Sequence, residues 1–163
     1  MTVASIERPP VDHDVRTNTG NDDLHVFFAS VVEKNPGLSA WGCVLFYCTS
    51  SQSYGQFVPK ISSVFEAALI GFEEVLRLGL KKVEGVYERP VHIYTESKYL
   101  YNMFVEGKDG KYSAEKARIT ELMEGREFVW NLVGTEVPGV SMAKARAEKA
   151  LDVGLRLVMR SGS

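Results

Sequence analysis

Hydrophobic and polar positions follow two different periods along this chain. From Leu24 to Val32 the residues Leu-His-Val-Phe-Phe-Ala-Ser-Val-Val form a β-branched and aromatic run that stops at the turn signal Asn35-Pro36-Gly37, which predicts a buried strand. A second run, Ala40 to Cys48, and a third, Tyr54 to Val58 ahead of Pro59, follow across a polar stretch, and the three together predict a meander. Residues 62 to 80 change period: Phe65, Leu69, Phe72 and Leu76 recur at helical spacing, and Ser63 with Glu66 forms a capping box. A short strand is expected from Pro90 to Glu96, then a helix capped by Ser97 that carries Tyr99, Leu100, Met103 and Phe104 and ends at Gly107 to Gly110. A polar helix from Ser113 to Glu124, a strand from Phe128 to Val133 and a long helix from Ser141 to Met159 complete the chain. This order is α/β, with an antiparallel start and parallel pairing wherever a helix serves as a crossover.

The 163 residues, 45% hydrophobic and 25% charged, suit one globular domain with a proper core, placed at residues 24–160. No apolar run reaches the roughly 18 to 20 residues of a bilayer span, so no membrane partner is expected. The 19 basic against 21 acidic residues, a net charge of -2, argue against a protein that holds polyanions by bulk charge. Residues 1–23 hold five acidic and two basic residues, Pro9 and Pro10, and almost no aromatic content, the composition of a flexible acidic tail. That tail has no apolar core of a secretory signal. Cys43 and Cys48, the only cysteines, would point to opposite faces of a strand and form no zinc framework, which fits a reducing setting inside the cell, cytoplasm or nucleus.

Three local sequences carry a resemblance. Asn35-Pro36-Gly37 followed by Trp41-Gly42 lies between the first two strands, Glu66 sits in the first turn of the first long helix, and Thr95-Glu96-Ser97-Lys98-Tyr99 joins the fourth strand to its helix. In order and spacing these pieces resemble the type 1 ribonuclease H family over residues 24–159. The resemblance implies a ribonuclease H-like fold, with a five-stranded mixed sheet of three antiparallel and then parallel strands flanked by helices. It also implies a site that cuts RNA in RNA/DNA hybrids with two magnesium ions about 3.5 to 4 Å apart, held by clustered carboxylates.

The family's four ligands are an Asp on the first strand, a Glu on the first helix, an Asp ending the fourth strand and an Asp on the last helix. Counting back from Asn35-Pro36-Gly37, the first position falls on Ala29, whose methyl group cannot bind a cation. The nearest acid on that strand face, Glu33, lies about 13 Å further along and cannot substitute. Glu66 matches the helix ligand in type and place, although a Glu at that capping-box position is equally explained by the helix N-terminus. Glu96 stands where the family has Asp, and an acid near a helix N-terminus is also favoured by the macrodipole. The last ligand falls on Ala150 or on Glu148, depending on the length allowed to the preceding loop. The loop residues Gly134-Thr135 and Gly139-Val140 show none of the histidine that active members carry there.

Where the family contacts hybrid, this chain has Ser62, Ser63 and Asn35, and only Lys108 and Lys111 in place of a basic protrusion. His25 and His92 fall on predicted strands, where packing roles are usual. The sequence thus supports a degenerate ribonuclease H-like domain, without resident cofactor, that binds a protein partner or a second copy of itself through its former cleft, its sheet edge or the helix from Tyr99 to Phe104. Nucleic-acid affinity would be weak. The alternative is a metal-dependent nuclease in which Glu66, Glu96 and Glu148 hold magnesium or manganese, with Glu66 and Glu96 as the principal metal ligands.

Overall fold

A computed structural model of the protein describes residues 23–48, 50–83, 89–107 and 110–161. Its elements are β1 (Leu24–Val32), β2 (Gly37–Tyr47), β3 (Ser50–Ser62), α1 (Val64–Lys82), β4 (Val91–Thr95), α2 (Lys98–Val105), α3 (Ser113–Met123), β5 (Phe128–Leu132) and α4 (Pro138–Ser161). The strands form one sheet in the order β3-β2-β1-β4-β5, with β1, β2 and β3 antiparallel and β4 and β5 parallel to β1.

β1 reads as a continuous apolar run because both of its faces are covered. Leu24, Val26 and Phe28 point into a core shared with Leu69, Phe72 and Leu76 of α1, Leu100 and Met103 of α2, and Ile119 of α3. Phe72 sits among the rings of Phe28, Phe104 and Trp130, at centroid distances of 5.8, 5.9 and 5.3 Å. Phe27 and Ala29 point to the other face and pack with Val44, Phe46, Tyr94, Val140 and Ala143. Among the described residues, the helix that covers that face is α4.

Glycines set the depth at which α4 lies. A Cβ on Gly42 would overlap the carbonyl oxygen of Ala143, and one on Gly55 would come within 2.6 Å of the Arg146 carbonyl oxygen. The helix backbone therefore rests directly on the backbones of β2 and β3, closer than side chains on both surfaces would allow.

The expected order and type of every element match the structure, with local differences. β3 is longer than the predicted Tyr54 to Val58, because it pairs with β2 from Tyr47↔Ser50 to Gly37↔Ser62 and, as an outer strand, admits polar residues and Pro59. α4 begins at Pro138, not Ser141, since a proline fits the first helical turn where its missing N–H has no partner to lose. Cys48 leaves the strand for the hairpin turn, exposed and with φ 57°, while Cys43 is buried in β2, where desolvation pushes its thiol pKa up. The two form no disulfide with each other. The predicted tail lies outside the described residues except for Asp23, which is not tail-like. It is 4% exposed, and its carboxylate accepts a hydrogen bond of 2.8 Å from Nε2 of the buried His92. His92 stacks on His25 at 4.7 Å, His25 Nδ1 lies 3.0 Å from the Tyr94 hydroxyl, and Tyr94 stacks on Phe27 at 4.3 Å.

Two consequences are measurable. Gly42→Ala forces α4 off the sheet and is expected to destabilise the protein by about 2 to 3 kcal/mol in urea unfolding, the upper range for overpacking. Glu73 joins α1 to α3 by accepting from Arg77 at 2.8 Å and Arg118 at 3.3 Å. Partial burial pushes its pKa up, but the two guanidinium groups outweigh this and hold it below the usual glutamate value. A depressed folded-state pKa stabilises above the unfolded-state value, and that stability is lost as pH falls through the folded one. Urea midpoints of Glu73→Gln should therefore fall less steeply than those of the parent as the pH drops below the ordinary glutamate range.

Candidate functional site

The C-terminal ends of the parallel strands β1 and β4 face the first half of α4, and the turn entering α1 lies beyond the far end of β1. Ala29, near the end of β1, pairs across the sheet with Gly42 and is 4% exposed. Its methyl group belongs to the apolar cluster closed by Val140 and Ala143 of α4. A carboxylate here would be buried among hydrocarbon.

Glu96 directly follows β4. Thr95 Oγ1 accepts from the Ser97 amide at 3.1 Å and Ser97 Oγ accepts from the Leu100 amide at 3.2 Å, so the cap of α2 fixes the backbone on either side of it. The Glu96 carboxylate receives the ammonium group of Lys144 at 3.3 Å, both side chains being 40% exposed. Lys144 follows Ala143, whose burial against β2 aims the next side chain at the end of β4.

Glu66 has a second lysine. Its amide donates to Ser63 Oγ at 3.1 Å, the forward half of the capping box, and its carboxylate accepts from Lys60 at 3.0 Å. Lys60 comes from the last turnward residues of β3, and its own side chain is 58% exposed. Glu148 lies on the exposed surface of α4, about 6 Å further along the axis than Lys144 by helical rise. Ala150, the other alignment of the last ligand, faces the opposite side of the helix, toward β3.

The three residues at the hybrid-contact positions are all engaged around the turn from β3 into α1. Asn35 Oδ1 accepts from the Val64 amide at 3.0 Å, Ser63 caps Glu66 and is hydrogen-bonded to the Tyr112 hydroxyl at 2.9 Å, and the buried Ser62 Oγ donates to the Lys60 carbonyl at 3.2 Å. Each hydroxyl or amide oxygen is thus already engaged within the chain. The Asn35-Pro36 peptide bond is cis.

These residues do not fit a two-metal site. Among the described residues no group of three or more His, Cys, Asp or Glu side chains is placed to hold a metal ion. Glu66 and Glu96 each face a lysine, the first-strand position is a buried methyl, and Glu148 does not join them. Sequence reasoning missed Lys60 and Lys144 as parts of the site. Nothing in a linear pattern shows that the ammonium group of Lys144, four residues before Glu148, meets the end of β4.

No family model matches the chain, and no curated protein matches it. Solved structures do. The ribonuclease H1 of the halophilic archaeon Halobacterium salinarum is 19% identical, with 80% of this chain and 98% of that one covered and a TM-score of 0.68. LC11-RNase H1, which was isolated from compost by a metagenomic approach and solved with an RNA/DNA hybrid, is 15% identical, with 82% and 99% covered and a TM-score of 0.70. The N-terminal RNase H domain of rv2228c from Mycobacterium tuberculosis is 15% identical, with 83% and 98% covered and a TM-score of 0.66. The chain has the ribonuclease H-like fold over about four fifths of its length.

A buried carboxylate at position 29 tests the site's geometry. Ala29→Asp is expected to lower stability by about 3 kcal/mol or more in metal-free buffer, the scale of an unpaired buried charge. In the triple variant Ala29→Asp, Glu96→Asp, Lys144→Ala, millimolar magnesium should raise the melting temperature above that in chelator. An unchanged melting temperature would mean that these three positions do not converge.

Proposed function

We propose that the chain is a noncatalytic ribonuclease H-like module that binds a protein partner, with weak affinity for RNA/DNA hybrids and no resident divalent cation. The observation that carries this reading is the Lys144–Glu96 ion pair beside the buried Ala29. Two-metal hydrolysis needs carboxylates that gather divalent charge around a scissile phosphate. Here one of those positions has no charge to offer, and at another a cation is built into the chain. A lysine brings a single positive charge and three hydrogen-bond donors, but it neither lowers the pKa of a bound water as a divalent metal does nor bridges two oxygens of a phosphate in flight.

Hybrid association is retained in the proposal at low affinity. LC11-RNase H1 was solved with such a hybrid, and Lys60 and Lys144 keep exposed ammonium groups at the corresponding end of this sheet. Internal capping by Asn35, Ser62 and Ser63 removes the groups that would read a ribose. No described helix is long and apolar enough to cross a membrane. The two cysteines form no disulfide with each other, which supports work in a reducing setting inside the cell, in cytoplasm or nucleus.

The deciding experiment is cleavage of an end-labelled RNA/DNA hybrid by the purified chain, in magnesium and separately in manganese, with Glu66→Ala prepared in parallel. The expected outcome is no product above the buffer control in either metal. Metal-dependent cleavage that disappears in Glu66→Ala would overturn the proposal and establish Glu66, Glu96 and Glu148 as a reduced carboxylate site.

A further inference from the structure

On the far side of α4 from Glu96 lies a different feature. β3 is the outer strand of the sheet, and α4 crosses toward it, so that Gly154 meets the ring of Phe57. Between helix and strand runs an open groove of about 580 Å³. Phe57, Pro59, Val153 and Leu157 give it apolar walls, and Val153 and Leu157 are 45% and 58% exposed. Its charged lining residues, Arg146 and Lys149, are both basic, although α4 also carries Glu148 and Asp152, which do not line it. Asp152 is engaged by Arg156 at 2.9 Å.

We propose that the chain's own residues 1–22, which lie outside the described residues, occupy this groove. Chemistry and reach both point to that segment. It carries Glu7, Asp12, Asp14 and Asp22 against Arg8 and Arg16, a net charge opposite to that of the groove. Its Pro9-Pro10 pair, flanked by Ile6 and Val11, offers the restricted apolar chain that aromatic grooves take up with little entropy to lose.

The distances allow it. Phe57 pairs with Ala40, which pairs with Val31, so the groove lies two strands across and seven residues along from the start of β1 at Leu24. That is about 23 Å along the sheet and about 10 Å across it. The 12 residues from Val11 to Asp22 reach about 40 Å when extended, enough to bring Pro9-Pro10 to Phe57. Tethering at Asp23 keeps the segment at an effective concentration in the millimolar range, which favours it over the same segment of a second molecule.

The test places the photo-crosslinker p-benzoylphenylalanine at Leu157 in the full chain and maps the adducts by mass spectrometry, using an equal mixture of 14N- and 15N-labelled protein. Adducts to residues 1–22 with both halves carrying the same label are expected. Arg146→Glu with Lys149→Glu should lower their yield by about fivefold, and Glu7→Lys with Asp12→Lys should restore it, as exposed ion pairs of this kind predict. Adducts joining differently labelled halves would assign the groove to a second copy and overturn the proposal. So would adducts that never reach residues 1–22. Either outcome is independent of whether the chain cleaves hybrid.

Discussion

Direct backbone contact between α4 and the sheet governs the rest of this molecule. Because Gly42 and Gly55 have no side chains, the helix settles onto β2 and β3 with its carbonyl oxygens against strand backbone. At that depth Val140 and Ala143 close over Ala29, and the space where a carboxylate would need water and cations becomes hydrocarbon. The same seating fixes the rotation of the helix, which puts Lys144 over the end of β4 and Ala150 over β3. One packing constraint therefore decides both the burial of Ala29 and the place of Lys144.

The two lysine–glutamate pairs have an electrostatic logic. The acids at the end of β4 and at the start of α1 lie close to helix N-termini, where negative charge is favoured. A metal site would neutralise them with divalent ions drawn from solution. This chain pairs them with Lys144 and Lys60, whose charge arrives with the polypeptide. Exposed pairs of this kind contribute little to stability, on the order of 0 to 1 kcal/mol each, so their effect is on the chemistry of the cleft more than on the fold.

Much of this was legible in the sequence. Period-two and period-3.6 patterns place every element in order, and the apolar character of β1 on both faces foretells a sheet covered on two sides. Ala29 is visible as a defect once the turn at Asn35-Pro36-Gly37 sets the count. What escaped depends on contacts between residues far apart in the chain. The Lys144–Glu96 pair joins positions 48 apart, and its formation rests on the depth of α4, which no local pattern encodes. Asp23 looked like the last residue of an acidic tail because composition averages over neighbours, whereas its role is decided by the one histidine that β4 brings beside it. The outer parts of β3 looked like loop because an edge strand tolerates the polar residues and the proline that a central strand excludes.

The column of Asp23, His92, His25, Tyr94 and Phe27 ties the residue ahead of β1 into the body of the fold. His92 Nε2 has the Asp23 carboxylate as its partner, while its Nδ1 is buried without one. A shortened chain that starts at Leu24 would bury an imidazole with neither nitrogen satisfied, beneath a stack that runs on to the helix-facing core. A side chain one residue ahead of the first strand is thus part of the core, and any excised version of the described fold has to carry Asp23.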